Sequence, residues 1–169
     1  MNLKHAAAAL ALTSLVAAGA AQAAPKEITV AIASTFTTLD PYDASDTLSQ
    51  TASKSFYEGL FTFDKDMKVI DALATDYKVS DDGLVYTVTL RKGVKFHDGT
   101  DFNADAVKTS IERLLEPNRN SDQPYASFVF GEEAANSGVK TVEAVDATTV
   151  KITMRAANTS FLKNLAMAL

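Results

Sequence analysis

Between Tyr86 and Arg91 apolar and polar residues alternate, with Tyr86, Val88 and Leu90 set against Thr87, Thr89 and Arg91. That is the period of two shown by a strand with one face buried. Gly93 ends the run, Val94 and Phe96 form a second short apolar pair, and His97-Asp98-Gly99-Thr100 has the composition of a turn. The period then changes. Val107, Ile111, Leu114 and Leu115 recur at i, i+4, i+7 and i+8, which predicts a helix capped by Asn103, with Asp105 in its first turn and its end before Pro117.

Similar patterns place the other elements. Ile28, Val30 and Ile32 alternate with Thr29, Ala31 and Ala33, predicting a strand over Glu27–Ala33 that empties into a polar loop, Ser34–Thr38, and a turn at Asp40-Pro41. A helix capped by Asp46 or Thr47 carries Leu48, Ala52 and Phe56 on one side and stops at Gly59; Leu60–Phe63 is a short buried strand or an extended segment. Tyr77 and Val79 lead into Ser80-Asp81-Asp82-Gly83, where the glycine can close a hairpin loop before Leu84–Arg91 returns. Pro117–Gly138 is a long connection, apolar at Tyr125, Phe128, Val129 and Phe130, of a length that is usually functional or an insertion. Val139–Val145 and Thr149–Met154 form a second hairpin, with Val150, Ile152 and Met154 on one face. Phe161, Leu162, Leu165, Ala166 and Leu169 begin an amphipathic helix capped by Asn158 or Ser160. It reaches Leu169 without a C-terminal glycine, basic residue or polar tail, an end that reads as cut.

Composition narrows the class. With 169 residues, 47% of them apolar, the chain can build a core of ordinary size. The first residues are a different matter: Lys4 and His5 precede an apolar run, Ala6–Ala18, too short to span a bilayer, and Ala21-Gln22-Ala23 is a small-residue cleavage site. Residues 1–23 therefore read as a signal peptide and the mature chain as starting at Ala24, soluble and outside the cytoplasm. No cysteine is present, which excludes a disulfide framework, a thiol nucleophile and a lipid anchor on cysteine. A net charge of -5 speaks against nucleic acid, because phosphate binding needs clustered Lys and Arg.

Reactive constellations are missing as well. The seven glycines are scattered, so the sequence holds neither a dinucleotide fingerprint nor a phosphate loop, and no G-x-S-x-G accompanies His97. His97 reads as a turn residue that packs or hydrogen-bonds locally. Asp64 and Asp66 read as a solvated turn, and the set Asp40, Asp43 and Asp46 as turn and cap chemistry ahead of ligand contact. A calcium site would need more oxygen ligands at fixed offsets. No metal, cofactor or catalytic residue is expected.

Ligands of α/β proteins gather where strands end and loops begin. The loop after the first predicted strand is rich in hydroxyl and carboxylate groups that can hydrogen-bond a small polar solute. Thr35, Phe36, Thr37, Asp46, Thr47 and Leu48 are the candidate ligand-binding residues.

The run Leu90-Arg91-Lys92-Gly93-Val94-Lys95-Phe96-His97-Asp98-Gly99, continued by Phe102-Asn103-Ala104-Asp105-Ala106-Val107, resembles the signature of the extracytoplasmic peptide-binding proteins of ABC importers, solute-binding family 5. Thr37–Ala44, Asp46–Gln50 and Lys54–Phe61 look most like the glutathione-binding branch of that family. The resemblance implies an α/β, type II periplasmic-binding-protein-like fold, of which this chain is the N-terminal part. On that analogy residues 24–44 begin lobe I, 45–157 form an accessory α+β domain and 158–169 start the return to lobe I. It further implies a periplasmic location, a short peptide or glutathione as ligand, closure of two lobes over it, and permease and ATPase subunits as partners, with no enzymatic step and no insertion into the membrane. Much of the pocket would come from segments outside this sequence.

Two rivals make different predictions. An extracytoplasmic hydrolase using Asp43 and Asp46 would turn over peptides or glycosides and lose that activity on Asp46→Ala. A complete secreted interaction module would unfold cooperatively as residues 24–169 alone.

Overall fold

The computed structural model describes residues 29–31, 34–115 and 138–167. The chain divides between Ala33 and Ser34, and all the elements described belong to the unit that begins at Ser34. In chain order they are α1 (Thr47–Ser53), β1 (Phe61–Phe63), β2 (Val69–Asp71), β3 (Ala74–Val79), β4 (Val85–Leu90), α2 (Ala104–Glu112), β5 (Val139–Asp146), β6 (Thr149–Met154) and α3 (Phe161–Met167).

The alternating segment forms β4, within a residue of the predicted limits, and lies inside a four-stranded antiparallel sheet of order β3-β4-β6-β5. Its register sets Tyr86 opposite Ile152 and Val88 opposite Val150, so the apolar sets of the two central strands share one face. That face is closed by Val107 and Ile111 of α2, by the following Leu114, and by Phe161, Leu165 and Ala166 of α3, all buried. Thr87, Thr89, Lys151 and Thr153 occupy the other face and are only half-buried. Burying the facing apolar sides of β4, β6, α2 and α3 contributes the main stabilisation, because apolar area leaves water there.

Turn chemistry fixes the connections. In the β3–β4 hairpin Gly83 has φ +71°, and the Asp82 carboxylate accepts from the Leu84 N–H and the Ser80 hydroxyl. Asn103 caps α2 as expected: its Oδ1 accepts the Ala106 N–H at 2.9 Å. The Ala104 N–H, a further donor at that helix start, reaches the Ala147 carbonyl at 3.0 Å and ties α2 to the β5–β6 turn. His97 is exposed and lies in a turn held by Asp98, whose Oδ1 accepts from the Thr100 N–H and hydroxyl.

Three expectations need correction. The helix predicted to run to Gly59 ends at Ser53, because shorter-range bonds, Ser55 N–H to Ala52 O and Phe56 N–H to Ser53 O, tighten the chain into a turn. Its buried face carries Ser49 and Ser53 rather than Leu48 and Phe56. Ser53 Oγ donates to the Ser49 carbonyl at 2.8 Å and Ser49 Oγ accepts from the loop, so both hydroxyls are satisfied in the interior. Beyond Phe63 the chain turns at Asp64–Lys68 and returns as β2, a strand that no apolar alternation announces. Asp64 does form the solvated turn expected of it, accepting the Asp66 and Lys68 N–H groups.

Of the strand expected at Glu27–Ala33, only Thr29–Ala31 are described, and they are exposed without regular structure. The signal segment, the long connection from Pro117 up to Gly138 and the last two residues lie outside the described residues.

Candidate functional site

The loop that precedes α1 leaves and returns to nearly the same point. Asp46, extended at φ -105°, caps the helix by accepting the Ser49 N–H on Oδ1 at 2.8 Å. Its other oxygen accepts the Thr37 hydroxyl at 2.7 Å, and the Thr37 N–H in turn donates to Ser49 Oγ at 2.9 Å. Hydrogen bonds from the Ser49 side chain and N–H and from Thr37 hold the Asp46 carboxyl down at about 2, below its ordinary 3.8.

The structure thus brings together two of the six candidates, Thr37 and Asp46, and joins them through Ser49, which sequence reasoning did not select. Thr35 and Phe36 are exposed just before this knot, Phe36 at 45%. Thr47 is exposed in the first turn of α1, where its carbonyl accepts the Thr51 hydroxyl, and Leu48 is half-buried. The expectation that Asp40 and Asp46 do turn and cap work holds. Asp40 Oδ1 accepts the Tyr42 N–H at 3.1 Å and its carbonyl the Asp43 N–H at 3.2 Å.

A second arrangement stands beside the first. Arg113, just past α2, donates to both oxygens of Asp40, at 2.9 Å from Nη1 and 2.8 Å from Nη2, and its guanidinium lies 5.8 Å from the centre of the Tyr42 ring. Burial raises the Asp40 carboxyl, but the Arg113 and Tyr42 hydrogen bonds and the Arg113 charge outweigh it and leave the group below its usual value. For Arg113 the Asp40 hydrogen bond dominates and raises an already high value. The Tyr42 hydroxyl is pushed up to about 12, chiefly by burial. Leu39–Tyr42 and α2 line a cleft of about 570 Å³, with Tyr57, Glu58 and Phe96 among its other walls. A basic residue after an apolar helical stripe reads as a complement to the helix dipole. Nothing in its spacing shows that it reaches 73 residues back to Asp40.

Among the described residues no three His, Asp or Glu side chains converge as a metal site would require, and no helix is long and apolar enough to cross a membrane. What the arrangement offers is hydrogen-bonding groups on a shaped loop beside an apolar cleft.

Residues 68–169 match the sequence profile of the bacterial extracellular solute-binding proteins, family 5, middle region. This chain belongs to family 5. The signature read from Leu90–Val107 falls inside the matched stretch. Among curated family 5 relatives, the glutathione-binding protein GsiB of Salmonella typhimurium is 52% identical over 159 residues, covering 94% of this chain and 29% of the relative. Its counterpart in Escherichia coli K12 is 50% identical over 143 residues, covering 85% and 26%. The chain therefore spans under a third of the length of these relatives.

Solved structures agree. HbpA2 from Haemophilus parasuis superposes with a TM-score of 0.69 at 30% identity, covering 80% of this chain and 29% of that one. The binding protein AgaA of A. tumefaciens R10, in complex with agropinic acid, gives 0.68 at 30%, over 78% and 25%. DppA of Helicobacter pylori, in complex with the peptide STSA, gives 0.62 at 30%, over 76% and 27%. The family 5 fold here is α/β, of the type II periplasmic-binding-protein class, as the resemblance implied.

Proposed function

We propose that this chain is part of the substrate-binding component of an ABC importer and that its solute is a short peptide, glutathione before others. The observation that carries this reading is the 52% identity to glutathione-binding proteins over 94% of the chain. Six residues, Thr35, Phe36, Thr37, Asp46, Thr47 and Leu48, contribute contacts to the solute from a loop and the first turn of α1, whose shape is set before the solute arrives. Preorganisation of this kind limits the ordering cost of binding.

Residues 1–23 direct export to the periplasm, 24–44 begin lobe I, 45–157 form the accessory domain and 158–169 start the return. Permease and ATPase subunits receive the solute, and no covalent step is involved. A carboxyl held near 2 is a poor general base at neutral pH, which weakens the hydrolase reading built on Asp46.

Isothermal titration of the protein from its complete reading frame, with glutathione, a dipeptide and a tripeptide, tests the proposal. Glutathione binds best, Asp46→Ala weakens it, and no peptide is cleaved. Absent binding, or turnover of any of the three, refutes it.

A further inference from the structure

The Thr37 hydroxyl and the Asp46 carboxylate meet although they stand nine positions apart in sequence. Closing such an excursion sacrifices backbone freedom at every residue in it. Two hydrogen bonds, an exposed one to Asp46 and one to the buried Ser49 hydroxyl, are a thin return for that ordering unless something else holds the intervening segment. Arg113 supplies the hold. Its two-pronged contact spans both Asp40 oxygens, and this geometry distinguishes a directional clasp from an ordinary surface ion pair. The oxygen that takes Nη2 also takes the Tyr42 N–H, so fixing the carboxylate fixes the turn from Asp40 to Asp43. Beneath the guanidinium, Tyr42 is buried in the core and anchors the same turn from below.

We propose that Arg113 is a positioning residue: acting through Asp40, it seats the middle of the loop on the end of α2 so that Thr37 and Asp46 can close around Ser49 and present the solute-contacting residues. It touches no solute itself. Its link to solute binding rests on the function proposed above, whereas its effect on loop closure does not.

Amide hydrogen exchange on the full chain tests it. Arg113→Ala speeds exchange at Thr37, Tyr42, Asp43 and Ser49 by about tenfold, as expected of a local opening, and leaves the β4 and β6 amides unchanged. Arg113→Lys, which keeps the charge but loses the fork, gives an intermediate rate. Asp40→Asn, which keeps an acceptor for the Tyr42 N–H, opens Thr37 and Ser49 more than Tyr42. Exchange unchanged at Thr37 and Ser49 in both Arg113→Ala and Asp40→Asn overturns the proposal, as does acceleration spread evenly over the sheet. Glutathione titration of the same variants in the complete protein separates the two ideas. Weakened binding in step with loop opening supports both. Opened loops with full glutathione affinity remove the link to solute and overturn the positioning role for binding. A parent protein that binds no glutathione refutes the proposed function and leaves loop closure to be decided by exchange.

Discussion

The Tyr86 hydroxyl donates to the carbonyl of Asn158 at 2.9 Å, and its ring meets Phe161 at 5.1 Å in a steeply tilted contact, so a central strand holds the start of α3 by both a polar and an apolar grip. Tyr86→Phe removes only the polar part and lowers stability by about 1 kcal/mol, the typical net worth of one hydrogen bond. Phe161→Ala empties a fully buried site and costs about 3–5 kcal/mol. Urea denaturation of the two single variants and the double variant measures both, and the double loss is smaller than the sum because the residues touch.

Gly83 and Gly93 both sit at positive φ, +71° and +74°, yet a side chain would meet different surroundings. At Gly93 a Cβ finds nothing within 4 Å, whereas at Gly83 it lies 3.1 Å from the Ala157 Cβ. Gly93→Ala therefore costs about 1–2 kcal/mol, the strain of the left-handed backbone alone. Gly83→Ala costs more, and Ala157→Gly in the same chain restores the difference but not the strain. Thermal melts of the three variants discriminate the two contributions.

Acid should loosen the loop late. A carboxyl whose value falls from 3.8 to about 2 on folding contributes stability that is complete above 3.8 and disappears as pH drops through 2. The Ser49 amide resonance, followed from pH 5 to pH 1.5, shifts in that window, and Asp46→Asn abolishes the shift. On the alkaline side Tyr42, raised to about 12, stabilises the fold fully below its ordinary 10 and ceases to as pH rises through 12. Absorbance at 295 nm shows a phenol titrating at about 12, and Tyr42→Phe removes that component.

Asn103→Ala strips the cap from α2 and costs about 1 kcal/mol, within the 0.5–2 kcal/mol usual for such losses. Asn103→Asp, which keeps an acceptor and adds negative charge at the helix start, holds or raises stability by chemical denaturation.

Local signals made much of this fold legible. Alternation from Tyr86 to Leu90 and the stripe from Val107 to Leu114 report which face each element buries, and both faces are the ones buried. Gly83 and Asn103 announced a turn and a cap because those geometries depend on residues within a few positions. The signal failed where the deciding partner is distant. Ser49 and Ser53 look like solvent-facing residues until the Thr37 N–H is placed on Ser49, and β2 holds too few residues to show a period. The same holds at the candidate site: Thr37 and Asp46 could be chosen for their chemistry, but Arg113 could be found only once the chain had folded back onto Asp40.

Because one carboxylate both starts α1 and ties down Thr37, the two flanks of this loop are not equally open to evolutionary change. Replacing Asp46 or Ser49 frays a helix as well as altering a surface, so new side chains there survive only in compensated sets. Thr35 and Phe36 stand exposed ahead of the knot and outside the helix it starts. Under the function proposed above, a lineage drifting toward a different cargo could vary those two positions singly without unmaking the start of α1.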